Sequence, residues 1–379
     1  MFCIGIFNLW NNYKQLVIIV SFFIDEEFLM KKIASVLLLA FLCLATMAAY
    51  NPPVGGEDFN LLASPMNLSG ANSVTGGALF NAGADSLIVN PALTANEQRV
   101  NLTAGYTFMY STNDFNNKKI ASAFQTGILI PFKLYIFSGY VNGTFVPFEE
   151  MNLESSINFK AGLSKEITEK LYVGASASGG YAWQNGNDWS LCANIGALYN
   201  FGTVGFIKDF RIGASVLNLG KNYSIQRIGN DKTKLSTEYP TVLTMKAGFA
   251  GTFFSNDTIK FGLGVDATTP CFQNLIIDTN AQLAIKNTFF ISVGEKFNLM
   301  ETIKGNSSYI PAVAFLFKFT FDVKNNEYLE SNGWSQSEMS VSAGYRNIYG
   351  SIHAASAGVD LDLGMADDQP PKIVVWNNE

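Results

Sequence analysis

Apolar residues alternate with small or polar residues, with a period of two, along most of the chain after about residue 98. In the stretch 310–321, one set of alternate positions is mainly large and apolar, and the other is mainly smaller or polar: Val313, Phe315, Phe317, Phe319 and Phe321 against Ala312, Ala314, Leu316, Lys318 and Thr320. Successive side chains of a β-strand point to opposite faces. Each such segment is therefore predicted to be a strand with one apolar wall.

The length and number of these segments favour a membrane barrel over a soluble sandwich. They run for about ten to thirteen residues, close to what a tilted strand needs to cross a bilayer, whereas soluble strands average about five or six. About fourteen segments occur, from Arg99–Tyr110 to Ser351–Leu363, and bacterial barrels have even strand numbers. The sequence predicts an all-β fold, a 14-stranded antiparallel transmembrane β-barrel over residues 99–364. Phe315, Phe317 and Phe319 are expected on its lipid-facing wall.

The connections between the segments partly follow the rule of short periplasmic turns and longer extracellular loops. Pro131-Phe132 and Lys286-Asn287 are tight, and the stretch 219–239 is long. The stretch 322–336 is longer than a periplasmic turn should be, so the alternation of short and long connections is interrupted there.

A small, Gly- and Ala-rich segment from Leu68 to Asn96 precedes the strands, and Asp85 is its one ionisable residue. Such a segment is a poor helix and a poor strand. Its backbone must still find hydrogen-bond partners in an enclosing structure, because buried amides are rarely left unpaired. We therefore predict that residues 50–98 form a plug, or hatch, inside the lumen.

Both ends of the chain carry other signals. Met30-Lys31-Lys32, an apolar run and small residues near position 48 predict a signal peptide over residues 30–49, with residues 1–29 as a misassigned upstream segment. Residues 365–379 are predicted to be a periplasmic tail, because Pro370-Pro371 removes two ladder donors. The apolar end of the tail is expected to pair with a periplasmic partner, to begin a further domain or to be disordered.

Composition supports the barrel and excludes one class of partner. Charged residues make up 15% of the chain, against about 25% in a typical soluble protein, and aromatic residues make up 13%. No stretch after the leader has the roughly 18 apolar residues of a membrane-spanning helix. The net charge of -6 gives no basic surface for nucleic acid.

Residues for catalysis or metal binding are scarce. His353 is the single histidine and is interpreted as an interfacial barrel residue, since one histidine cannot supply both a metal site and a catalytic base. Cys192 and Cys271 remain after the leader, without metal-ligand spacing, and a disulfide between them stays open. We expect no enzyme, no cofactor and no metal.

Several segments, taken in order, resemble one known family. Ser86 to Leu93 reads Ser-Leu-Ile-Val-Asn-Pro-Ala-Leu and resembles the Asn-Pro-Ala signature in the hatch of the FadL-type transporters of hydrophobic compounds, with the PorV/PorQ proteins as relatives. The stretches 213–220, 239–248 and 261–267 resemble successive strands of these barrels, and an uncharacterised spirochaetal branch is most similar. The resemblance implies that Asn90, Pro91 and Ala92 lie beside a strand irregularity that opens the wall to the membrane. If the resemblance is left aside, an ordinary turn explains these three residues equally well.

The resemblance implies a function, with alternatives. The first is passive diffusion of long-chain fatty acids or other hydrophobic compounds around the plug and across an outer membrane. The second is a PorV-like scaffold for secreted or surface proteins, and the third is a structural barrel without transport. Membrane lipid and the barrel-assembly machinery are the other expected partners. Isolated inward lysines could pair with a carboxylate headgroup or simply be solvated wall residues: Lys246, Lys260 and Lys318.

Overall fold

The fold was analysed in a computed structural model that describes residues 62–112, 120–145, 155–183, 187–223, 242–305, 309–324, 326–348 and 350–366. The predicted upstream segment, the signal peptide, the first part of the plug and most of the tail lie outside these residues. Fourteen strands are present: β1 Val100–Ser111, β2 Ile120–Pro131, β3 Ile136–Phe145, β4 Ser155–Thr168, β5 Leu171–Trp183, β6 Asn187–Val204, β7 Ile207–Lys221, β8 Thr244–Ser255, β9 Ile259–Pro270, β10 Ile276–Ile285, β11 Phe289–Asn298, β12 Ala312–Asp322, β13 Gln336–Ile348 and β14 Ile352–Leu363.

The strands form one closed antiparallel barrel in which each strand pairs with its neighbours in sequence. β1 closes the barrel by pairing with β14 from Val100 opposite Leu363 to Ser111 opposite Ile352. Closure leaves no sheet edge exposed, which is the condition for a β-structure to span a bilayer. The predicted fold class and strand number are confirmed.

The alternation read from the sequence sets the two faces of the wall. Phe315, Phe317 and Phe319 are 46%, 49% and 36% exposed on the outer face, whereas Ala314 and Leu316 are 1% and 7% exposed on the inner face. The predicted register is therefore confirmed. Large apolar side chains are exposed on the outer face of every strand, which fits a wall that faces lipid. None of the helices in the described part of the chain has the length and apolar content to cross a membrane.

The two ends of the barrel have different connections. At the end where β1 begins, five of the turns contain only two to four residues, and by the usual rule this end is periplasmic. The stretch 323–335 is the exception predicted from the sequence, and it contains a short helix, α3 (Glu327–Ser331). The opposite end carries the stretch 222–243 and a second short helix, α2 (Leu299–Lys304).

Two irregularities of the wall lie away from the short turns, where the other register shifts are found. β11 and β12 pair over only six residues, from Phe289 opposite Phe317 to Gly294 opposite Ala312. The second is a bulge in β7, where the pairing with β6 shifts register between Ala193 and Ile195 of β6. At the bulge, Asn218 of β7 takes the left-handed conformation, with φ of 61°. Asn218 donates its backbone amide to Asn194 Oδ1 at 2.8 Å, which fixes this bulge.

The described plug, residues 62–98, lies in the lumen and is mostly buried. It contains one short helix, α1 (Pro65–Leu68), and two 3₁₀ turns, Ala84–Ile88 and Pro91–Asn96. Pro91 occupies the first position of its turn, where a missing amide donor costs nothing. The plug packs against strands on opposite sides of the barrel, including β13 and β5. It therefore spans the lumen from one side to the other.

Candidate functional site

The plug lies against inward-facing glycines of the wall. A Cβ atom built on Gly262 would be 2.7 Å from Ala78 O, on Gly105 2.8 Å from Ala63 O, and on Gly344 2.9 Å from Pro65 O. On several other strands a Cβ atom would overlap the plug itself: Gly174, Gly196, Gly213 and Gly294. Any side chain at these positions would push the plug off the wall. The abundance of glycine in this chain thus serves the contact between plug and wall.

Inward polar side chains hold the plug backbone by hydrogen bonds. Val74 donates its amide to Asp266 Oδ2 at 2.7 Å, and Leu79 donates to Gln282 Oε1 at 2.6 Å. Ala84 donates to Asn101 Oδ1 at 3.2 Å. These bonds satisfy backbone groups that the plug, with little secondary structure, cannot pair internally. They place the fastening points on β9, β10 and β1.

Arg211 of β7 makes the most extensive of these contacts. Its guanidinium donates to Thr75 O at 3.3 Å, to Gly77 O at 2.8 Å and to Ala78 O at 3.3 Å. The same group lies over the ring of Phe80, 5.1 Å from its centroid. A planar group with five donors suits three converging carbonyls. Arg211 therefore fixes the loop between α1 and the first 3₁₀ turn.

Asn90 joins the Asn-Pro-Ala segment to the wall. Its Oδ1 accepts from Ala92 N at 3.0 Å, which caps the 3₁₀ turn, and its Nδ2 donates to Val74 O at 2.8 Å and to Ala197 O of β6 at 3.1 Å. Beside it, Ser215 of β7 donates to Val89 O at 2.7 Å. Asn90 is 0% exposed and uses both ends of its amide. It is a structural link between the plug and the β6–β7 wall.

A groove of about 460 Å³ lies in the wall at the same place. It crosses β6 to β9 along a row of paired alanines that face outward: Ala197, Ala214, Ala247 and Ala267. Gly196 and Ser215, whose positions face the lumen and touch Asn90 and Val89, also line it. Small residues on both faces make the wall thin here. The bulge at Asn218 lies a few residues further along the same strand pair.

The three lysines predicted to face the lumen do not come together. Lys246 of β8 lies near the groove and donates to Thr268 Oγ1 at 3.2 Å. Lys318 of β12 forms an ion pair with Glu338 at 3.1 Å in the periplasmic half of the barrel. Lys260 of β9 lies opposite Ala284, near the periplasmic turns. Their role in holding a headgroup stays a prediction.

A further inward-facing lysine, Lys160, was not predicted from the sequence. Lys160 of β4 is 5% exposed, faces inward between Tyr140 and Ser178, and forms no ion pair with a carboxylate of the described residues. A buried ammonium without a counter-ion is costly, so a negatively charged group is its natural partner. The sequence did contain the signal: Lys160 alternates with Ile157, Phe159 and Ala161, which form the apolar face of the strand, so Lys160 faces the lumen.

Other predicted features are also placed. His353 shares a hydrogen bond with the Tyr345 hydroxyl, at 2.7 Å from its Nδ1 atom, near the end opposite the short turns. Cys192 and Cys271 are both buried and are not joined by a disulfide. Within the described ranges, no group of three or more His, Cys, Asp or Glu side chains could hold a metal ion.

The closed barrel, its lipid-facing wall and the plug inside it together define a transmembrane β-barrel of the plugged type. Searches with this chain found no matching protein-family model and no matching curated protein. The solved structures that it resembles include the toluene transporter TbuX of Ralstonia pickettii, at 12% identity and a TM-score of 0.48, covering 81% of this chain and 100% of that one.

Two further structures illustrate the range of similar barrels. A FadL homologue of Pseudomonas aeruginosa matches at 10% identity and a TM-score of 0.40, covering 78% of this chain and 96% of that one. The outer membrane protein Omp33 of Acinetobacter baumannii matches at 11% identity and a TM-score of 0.38, covering 71% and 99%. What this chain carries must be inferred from its own residues.

Proposed function

We propose that this barrel lets hydrophobic compounds, with long-chain fatty acids as the first candidate class, cross an outer membrane by passive diffusion. The observation that carries the proposal is the thin wall at Gly196 and Ser215. There, Asn90 of the plug lies on the lumen side and the apolar groove lies on the lipid side. No catalysis is part of this function.

The plug makes a route straight through the lumen unfavourable. Its backbone is bonded to several strands, and Leu87, Ala92 and Leu93 are 0% exposed. A compound entering from the extracellular end would have to leave sideways. The groove offers apolar contact at that point, and a hydrophobic molecule loses nothing by passing from it into lipid. Lys160 and Lys246 are the lumen cations available to a carboxylate headgroup.

Filling the groove tests the proposal. Ala214→Phe adds a large side chain at the groove, and Ala343→Phe adds the same side chain on the outer face of β13, on the far side of the barrel. Both positions face lipid, so both variants should assemble. Uptake of a fluorescent fatty acid should fall several-fold in the first variant and stay at the wild-type rate in the second.

The bound compound gives a second measurement. Lipid extracted from the purified barrel and analysed by mass spectrometry should contain free acyl compounds. Equal uptake in both variants, or a purified barrel that holds a surface protein and no acyl compound, would contradict transport. The latter result would support the scaffold alternative.

A further inference from the structure

A second cavity lies between the plug and the wall formed by β10 to β14 with β1 and β2. Its volume is about 260 Å³, and it extends from Asp85 of the plug to Arg99, where the chain enters β1 at the periplasmic end. None of its lining residues belongs to the groove at Asn90. It is therefore a separate site on the periplasmic side.

The fixed charges around this cavity do not balance. Arg99 lies 2.9 Å from Glu97 and 3.3 Å from Asp362, and it also contacts Glu338. Lys318 pairs with Glu338 at 3.1 Å. Both cations are thus already shared among three carboxylates. Two carboxylates of the lining remain, Asp85 and Asp360.

Asp85 and Asp360 line the cavity and form no ion pair with a cation in the described part of the chain. Asp85 accepts a hydrogen bond from Ser64 Oγ at 3.3 Å. Burial raises the pKa of Asp85 to about 6, although its hydrogen bond to Ser64 acts in the opposite direction. A partly buried carboxylate without a counter-ion is unfavourable, and a cation placed beside it would relieve that cost.

The remaining lining selects the kind of cation. Phe80, Phe290, Leu316 and Met66 form an apolar part of the wall. The volume corresponds to roughly nine water molecules at ~30 Å³ each, which is room for a small organic molecule. A bare metal ion would leave this apolar surface unused, and an anion such as a fatty acid headgroup would face an excess of negative charge.

We propose that this cavity binds a small organic cation, an ammonium group on a short apolar body. The ammonium lies between Asp85 and Asp360, and the body packs against Phe80 and Phe290. The site differs in charge class from the passage at Asn90 and does not depend on it. A ligand would enter this site from the periplasmic side.

Calorimetric titration of the purified full-length barrel tests this site, with 2-phenylethylammonium as the probe. Its neutral analogue 2-phenylethanol and its anionic analogue phenylacetate keep the ring but lack the charge or reverse it. Asp85→Asn and Asp360→Asn remove one negative charge each with little change of shape. Asp257→Asn, in an exposed turn at the same end, is the matched control.

The ammonium probe should bind at one site, and either cavity variant should weaken it roughly tenfold or more, as expected for loss of a charge-assisted hydrogen bond. Asp257→Asn should bind it as the wild type does. If 2-phenylethanol bound the wild-type protein as tightly as 2-phenylethylammonium does, the proposal would be overturned. Displacement of the probe by millimolar calcium alone would also overturn it, because the site would then be one for inorganic cations.

Discussion

Gly196 of β6 lies so close to Asn90 of the plug that a Cβ atom on the glycine would overlap the amide oxygen of Asn90. The same glycine lines the groove on the outer face. Gly196 therefore determines both how closely the plug approaches the wall and how thin the wall is between the lumen and the lipid.

Gly196→Ala should loosen the plug without preventing barrel closure. The added methyl group must displace Asn90, and overpacking of this kind costs about 1–3 kcal/mol. Limited proteolysis should then cut the plug between residues 62 and 98 in the folded variant. Gly179→Ala is the control, since its Cβ atom would lie 3.6 Å from Ser190 O, an ordinary contact. Equal protection of both variants would show that the plug does not need this close approach.

Asn90→Asp tests the hydrogen bonds of the same residue. The carboxylate keeps the bond from Ala92 N but loses both donors and faces the carbonyl oxygens of Val74 and Ala197. Stability against heat or urea should fall by at least about 1–3 kcal/mol. Asn256→Asp is a matched control, because the side chain of Asn256 only accepts, from Thr258 N and Ile259 N. A loss of similar size in the control would argue against a special role for the Asn90 donors.

Phe317→Arg tests the lipid-facing wall. An arginine near the bilayer midplane costs about 2–4 kcal/mol, so folding into lipid vesicles should be impaired. Ala314 is a poor control, since it packs against Met66 and Ala71 of the plug. Ser340→Arg faces the periplasmic cavity instead and should fold nearly as the wild type does. Impaired folding of Ser340→Arg alone would mean that the two faces are exchanged.

Plug stability should depend on pH through Asp85. Its pKa rises from 3.8 to about 6 in the folded protein, so the folded state binds the proton more tightly than the unfolded state. The resulting stability is fully present below about pH 4 and is lost as the pH rises through 6. The side chains that face Asp85 include Ser64, Asn72, Tyr140 and Asp360.

The difference in unfolding midpoint between the wild type and Asp85→Asn isolates this effect. The wild type should lose of the order of 2–3 kcal/mol relative to the variant between pH 4 and pH 8. Asp257→Asn, in an exposed turn at the same end of the barrel, is the control substitution. A constant difference across this range would mean that Asp85 does not titrate in the plug.

Deletion of residues 367–379 should leave a heat-resistant barrel. β14 ends at Leu363 and is already paired with β1 and β13 along its length. The removed residues contain Pro370-Pro371, which cannot continue a ladder. Loss of the heat-dependent gel shift in the truncated chain would place the tail in the closing strand.

The strands were predictable because their pattern is local. The period of two assigns each residue to one face, so the positions of Phe317 and Leu316 follow from the sequence. The partners across the lumen were not predictable in this way. Val74 and Asp266 are 192 positions apart, and Arg99 and Glu338 are 239 apart, so their contact depends on the register of every strand between them.

The candidate site shows the same division. The Asn-Pro-Ala segment could be found by resemblance, and its cap to Ala92 is a short-range bond. The meeting of Asn90 with Ala197, and of Arg211 with three plug carbonyls, depends on barrel closure. Lys160 could have been found by extending the alternation along β4. Its lack of an ion pair could not, because that depends on neighbouring strands.

The order of the chain conflicts with the order in which the plug can be seated. Pro65 precedes the first strand, yet it packs against Gly344 of β13 and Gly358 of β14, the last two strands to be synthesised. Its seat is complete only when β14 has paired with β1. The N-terminal segment therefore cannot dock until the strands of the barrel have assembled. The pairing of β14 with β1 and the docking of the plug then form a single late step of folding.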